Sequence, residues 1–139
     1  MGRPYELPSP LMSALVDMLG EAAREVIVIE HSRYARLHFA AATTRPGRIY
    51  VTGPGDDFSA DLPLVLHEYC HVLHQWETGR LTRTGYVLEC LRRGYRRNRF
   101  EIEAREFAAT AAPRFAALVA LQQQQLVAGI LAEERSVRG

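Results

Sequence analysis

The sequence predicts an α+β domain in which a small three-stranded sheet packs on one central helix, with further helices C-terminal to it. Three observations carry that expectation. Short β-branched runs broken by turn residues lie between positions 25 and 53, a largely apolar run extends from Ser59 to Gly79, and helical spacing of apolar residues continues to Ile130. At 139 residues the chain supports a single domain, residues 1–139, able to bury a core without disulfide staples.

The elements follow in order. Leu11, Leu15, Met18 and Leu19 recur at helical spacing, with Ser9 or Pro10 as start signals and Gly20 as the stop. "EVIVIEH", "RLHFAA" and "GRIYVTG" read as three strands, joined by "SRYA" and "TTRPG". In the third, Ile49 and Val51 face one side while Arg48, Tyr50 and Thr52 face the other, as in a one-sided edge strand. "GPGDDF" reads as a loop. The central helix follows, with Ser59 as candidate cap, Pro63 tolerated near its start and Gly79 closing it. Residues 83–97 form a second helical segment with Gly94 as a weak point, and residues 98–112 a third, capped by Asn98. Pro113 separates the third from a final amphipathic helix that contains the "QQQQ" of residues 122–125 as a solvated face.

Composition narrows the function classes. Net charge is +1 and 24% of residues are charged, so nothing draws the whole chain toward nucleic acid or membrane. Two cysteines, Cys70 and Cys90, are too few for a disulfide framework and fit a reducing compartment. The N-terminus lacks the pattern of a signal peptide, and no apolar run is expected to approach the roughly 20 residues that a membrane span needs. The expectation is a cytoplasmic protein without a membrane partner.

The chemistry concentrates in "LVLHEYCHVLHQ". His67 and His71 lie four residues apart on a helix, so both imidazoles project from one face within reach of one tetrahedral cation. Glu68 lies beside that pair. This is HExxH, in which the histidines hold zinc and the glutamate, as general base, takes a proton from metal-bound water. Residues of these types would produce the pattern by chance with an expectation of about 0.015 per chain of this composition. Either histidine alone would more naturally be a hydrogen-bonded core residue. Catalytic zinc takes three protein ligands. Glu77, ten residues after His67, occupies the metzincin position, but His74 stands where that pattern needs a helix-breaking glycine. Downstream, "NRFEIEAREFA" offers Glu101 and Glu103 on a second helix, about 200° apart around its axis, so that only one can face the metal. His74 reads as a helix-surface residue and Cys70 as a buried, inert thiol.

"LVLHEYCHVLHQW" followed by "GYRRNRFEIEA" and preceded by "GRIYVTG" resembles the short gluzincins. These include minigluzincins and the bacterial peptidase-like domains sometimes found with contractile injection systems. The resemblance covers residues 47–108. It implies a minimal zincin-like fold and a zinc-dependent metallopeptidase acting on peptide or protein substrates, with Zn2+ held by His67, His71 and Glu101 and with Glu68 as the catalytic base. In that family an aspartate or asparagine four residues after the ligand glutamate supports a ligand histidine; here that position is Arg105. The resemblance also calls for an oxyanion donor, for which Tyr86 and Tyr95 are the tyrosines between the two metal segments. It makes "RIYVT" a possible edge on which an extended substrate lies. The N-terminal "MGRPYELPSP" is long enough to lie across a shallow cleft.

Two other readings compete. One is a zincin-fold interaction domain without turnover. The other is a nucleic-acid binder built on the arginines of residues 80–105, which include "RRGYRRNR". A charge patch without a binding motif is more often a solvated helix face, so nucleic acid ranks last.

Overall fold

The computed structural model describes residues 2–38 and 40–139. A four-stranded mixed sheet is backed by helices. Its strands are β1 (Arg3–Tyr5), β2 (Ile27–Glu30), β3 (Ala42–Arg45) and β4 (Arg48–Val51), in the spatial order β1-β2-β4-β3. β1 pairs antiparallel with β2, β2 parallel with β4, and β3 antiparallel with β4.

The sheet departs from the sequence expectation in three ways. Residues 3–5 of the Pro-rich lead-in form an edge strand, so this segment lies on the far side of the sheet from β3 and not across a cleft. "RLHFAA" is not a strand: Arg36 and Leu37 end helix α2 (Arg33–Leu37), which Ser32 caps by accepting from the Ala35 amide, and Phe39 lies outside the described residues. The third strand is instead "ATTR", most of it read as a turn. Only Pro46 and Gly47 make the reversal, with Gly47 at φ 71°, the left-handed position that a Pro-Gly turn requires. β4 is therefore interior, paired on both sides, and the free edge belongs to β3. Its alternation is as expected, with Ile49 and Val51 buried.

Helix α1 (Ser9–Leu19) has the predicted bounds. A short helix, α3 (Gly55–Ala60), replaces the expected loop, and Asp61, not Ser59, caps the next helix, α4 (Leu62–Cys70), by accepting from the Leu64 amide. α3 begins where the backbone passes close to an aromatic ring: a Cβ on Gly55 would stand 2.2 Å from the Tyr5 ring. α4 runs on through a π-helical turn, His71–Trp76. Helix α5 (Arg83–Arg93) stops at Gly94, short of the expected residue 97.

Helix α6 (Arg99–Arg138) is continuous through Pro113. Pro113 and Ala109, whose carbonyl loses its partner there, are both exposed, so water can satisfy that oxygen. Ala108, Phe115 and Val119, buried on either side of the proline, hold the two halves on one axis. By length and composition alone, an 18-residue window of α6 with mean hydropathy 1.4 is apolar enough to cross a membrane.

One core joins these layers: Leu11 and Leu15 from α1, Val28 and Ile49 from the sheet, Leu66 and Tyr69 from α4, and Phe115 from α6. Tyr69 is fully buried, and its hydroxyl has no hydrogen-bond partner among the described residues. Leaving such a group unpaired costs about 1–3 kcal/mol. Tyr69→Phe is therefore expected to stabilise the fold by about 1 kcal/mol, read as a higher thermal midpoint. A lower midpoint would mean that the hydroxyl has a partner.

Candidate metal centre

α4 and the first turn of α6 bring three side chains to one point. His67 Nε2 lies 3.1 Å from Glu101 Oε2 and 3.1 Å from His71 Nε2, and His71 Nε2 lies 3.0 Å from Glu101 Oε1. Around a tetrahedral zinc with ligand bonds of about 2.05 Å, donor atoms stand about 3.3 Å apart. The group is within a few tenths of an ångström of that spacing and can hold a metal ion. All three ligand side chains are largely withdrawn from solvent, His67 the least.

The histidine chemistry agrees with the geometry. The Gln75 amide donates to the Phe100 carbonyl at 3.0 Å and to Glu103 Oε1 at 3.2 Å, so its oxygen is the atom facing His71 Nδ1 at 2.6 Å. A neutral His71 then carries its proton on Nδ1 and aims the Nε2 lone pair at the three-ligand point. Burial raises the Glu101 carboxyl, but hydrogen bonds from His67 and His71 and the charge of those imidazoles outweigh it and hold Glu101 well below the usual carboxylate range. Burial lowers His71, yet the bond to Glu101 and the charges of Glu101 and Glu68 carry it net upward. Glu68 is buried beside the pair, and desolvation raises its carboxyl despite the nearby histidines.

Each member of the site is held by local structure. The π-helical turn closes with a bond from the Glu77 amide to the Val72 carbonyl at 3.0 Å, and it seats Gln75, with no solvent exposure, against His71. Asn98, also without solvent exposure, caps α6 through the Phe100 amide at 2.9 Å and reaches back to the Tyr86 carbonyl at 3.4 Å and Cys90 Sγ at 3.2 Å. That ties α5 to the start of α6. Tyr86 then donates to Glu101 Oε1 at 3.2 Å, and Tyr95, pushed up to about 12 chiefly by burial, borders the same carboxylate.

Of the rival ligands, Glu103 faces away, paired with Arg80 by two bonds of 2.9 and 2.6 Å. Glu77 is exposed and outside the three-ligand group. His74 is half-buried, edge-on to Phe107 with ring centroids 5.1 Å apart, so it is a packing residue and not a free surface group. Cys70 is buried, and desolvation pushes its thiol up to about 12, which keeps it protonated and outside the site. Arg105 leaves the site and donates to the Arg96 carbonyl.

The support that Arg105 cannot give comes from Gln75, a residue that sequence reasoning missed. Its signal was present: it stands four residues after His71 on the same helix face. Gln75→Ala is expected to weaken metal binding by about 10–100-fold, measured by competition with a chelating indicator. An unchanged affinity would remove Gln75 from the centre.

A cavity of about 300 Å3 opens on the site, walled by Glu68, His71, Glu101, Tyr86, Tyr95 and Trp76, and the β3 strand forms one side of it. Trp76 pins that strand, its indole donating to Thr44 Oγ1 at 3.0 Å. Three of the arginines thought available for phosphate have partners inside the fold: Arg80 pairs with Glu103, while Arg93 and Arg99 flank the buried Glu89 at 3.3 and 3.9 Å. Compared with protein-family models, curated proteins and solved structures, the chain matches none.

Proposed function

We propose that this chain is a zinc-dependent metallopeptidase with a minimal zincin-like, gluzincin-type centre. The observation that carries the reading is the convergence of His67, His71 and Glu101 on one point that a 300 Å3 cavity reaches, with Glu68 on its wall. Two imidazole nitrogens and one carboxylate, those of His67, His71 and Glu101, match the donor set of hydrolytic zinc and would hold the ion beside the cavity. A zinc ion bound there supplies Lewis acidity, which makes water a stronger acid and polarises a peptide carbonyl.

The protein's own groups account for the remaining steps. Glu68, with its proton affinity raised by burial, accepts the proton of the attacking water and hands it to the departing amine. Tyr86 and Tyr95, kept protonated because burial pushes both hydroxyls upward, are donors suited to the oxygen that gains charge at the tetrahedral stage. The exposed edge of β3 lies along the cavity, so an extended peptide can add to it as a further strand, with its scissile bond directed toward Glu68. β3 takes the part first expected of β4. Trp76, Leu81 and Val87 give the cavity an apolar wall for a substrate side chain, and Arg45 and Arg83 give it a basic rim.

The direct test is metal content combined with proteolysis of an unstructured protein. The reading requires about one zinc per chain and hydrolysis that a chelator stops and zinc restores. Purified protein that takes up no transition metal would sink it.

A further inference from the structure

The cavity at the metal centre carries charge that the centre does not use. Its acidic lining residues are Glu68 and Glu101, both committed to the centre, whereas its arginines, Arg45 and Arg83, are not. Arg45 lies on β3 three residues beyond Ala42, and Ala42 and Glu68 together mark where this cavity meets a neighbouring one. Three extended residues span about 10 Å. Arg83 opens α5 one turn before Tyr86 and Val87, so the three share a helix face, and all three line the cavity. Tyr86 donates to Glu101, which puts Arg83 about one turn of α5, roughly 5 Å, from the residue that reaches the centre.

These two cations lack a counter-ion. Among the described residues neither Arg45 nor Arg83 has an acidic partner, although Arg3, Arg24, Arg80, Arg93 and Arg99 each have one. Trp76, Leu81 and Val87 line the same space, and an arginine beside such low-dielectric walls attracts an anion more strongly than one in open water. The neighbouring cavity is different. Its arginine, Arg105, is bonded to the Arg96 carbonyl, and Asp61 lines that cavity as well. The uncompensated positive charge therefore lies in one of the two cavities that meet at Glu68.

We propose that this cavity selects a substrate carboxylate, received by Arg45 and Arg83 within about three residues of the scissile bond. The inference rests on the metallopeptidase reading and adds a substrate class to it. Arginine suits the task because its fork of N–H donors matches the two oxygens of a carboxylate. Two groups of a peptide carry this chemistry, the side chain of Asp or Glu and the terminal carboxylate. The apolar wall accommodates the methylenes of the first or the side chain that accompanies the second. A lysine in the same place meets like charge and is rejected.

Matched peptides test it on the zinc-loaded full chain. Internally quenched, amidated peptides differ only in carrying Glu, Gln or Lys near the bond cleaved, which mass spectrometry locates. The Glu peptide is expected to exceed the Gln peptide in kcat/KM by about tenfold, on one side of the bond only, with the Lys peptide cut least. In a second arm, an acid-free peptide is compared with its terminus free and amidated; a comparable gain there makes the terminal carboxylate the source. Arg83→Glu is expected to turn the preference from Glu toward Lys at an unchanged zinc ratio, a reversal that mere loss of structure does not produce. Fluorescence anisotropy of the same peptides on the Glu68→Gln chain reads recognition without turnover. Discrimination in binding with no peptide cut supports carboxylate recognition and defeats only the metallopeptidase reading. The proposal is overturned by cleavage or binding that ignores both the Glu-to-Gln change and the terminal carboxylate, or by a preference that survives Arg45→Gln with Arg83→Gln. Neither binding nor cleavage of any peptide overturns both.

Discussion

Exchanging Glu68 for glutamine is expected to lower kcat/KM for an unstructured protein substrate by roughly a hundred- to ten-thousandfold while zinc stays bound at its original ratio. Glutamine keeps the volume of the side chain and its hydrogen-bonding oxygen, so the buried wall of the cavity remains filled. What it loses is the capacity to accept a proton. Glu68 is buried next to two imidazoles and one carboxylate, where desolvation raises its carboxyl above the usual carboxylate range and so strengthens it as a proton acceptor. It is not one of the three converging groups, so its loss separates turnover from binding. The measurement is paired: metal by atomic absorption, hydrolysis by fluorescence release. Full activity in a zinc-loaded Glu68→Gln chain would remove the assigned base.

The second large effect belongs to the ligands. His71→Ala is expected to weaken zinc binding by roughly a hundred- to a thousandfold. A four-ligand structural site binds with about 10–16 kcal/mol, hence about 2.5–4 kcal/mol for each ligand at about 1.4 kcal/mol per decade. His71 is the sharper choice over His67 because Gln75 fixes its tautomer and Glu101 contacts it at 3.0 Å. Glu101→Ala should match His71→Ala, whereas Glu103→Ala should act only through its contact with Gln75 and cost less. Equal losses at 101 and 103 would mean that the ligand set is misassigned.

Much of this centre is legible in the chain because it is local. The spacing of His67 and His71 is a consequence of helical pitch, and Asn98 announces the helix that presents Glu101. The choice between Glu101 and Glu103 was not local. Both lie in the first turns of α6, and only the direction from which that helix meets α4 turns one toward the histidines and the other toward Arg80. The spacing of Gln75 from His71 was legible but its role was not, since that role rests on a π-helical turn and on Phe100 and Glu103 holding its amide.

The sheet divides in the same manner. Alternation identified β4 by its buried Ile49 and Val51, because a strand's two faces are written in its own residues. Which strands flank it was beyond alternation. Edge or interior position depends on hydrogen bonds to partners distant in sequence, and β1 and β3 are short, polar and half-exposed, without the apolar signature of a strand. Pro113 misled because a local rule of helix breaking ignores whether the freed carbonyl meets water and whether buried residues on both sides hold the axis. By itself, then, the sequence determined what repeats along one element: the helical faces, the Asn98 cap and the spacing of the HExxH pair. The tertiary structure alone decided what meets between elements, namely the third ligand, the contacts of α6 that hold Gln75 against His71, and the free edge of β3, because those depend on the angles at which helices and strands pack and no single segment encodes an angle.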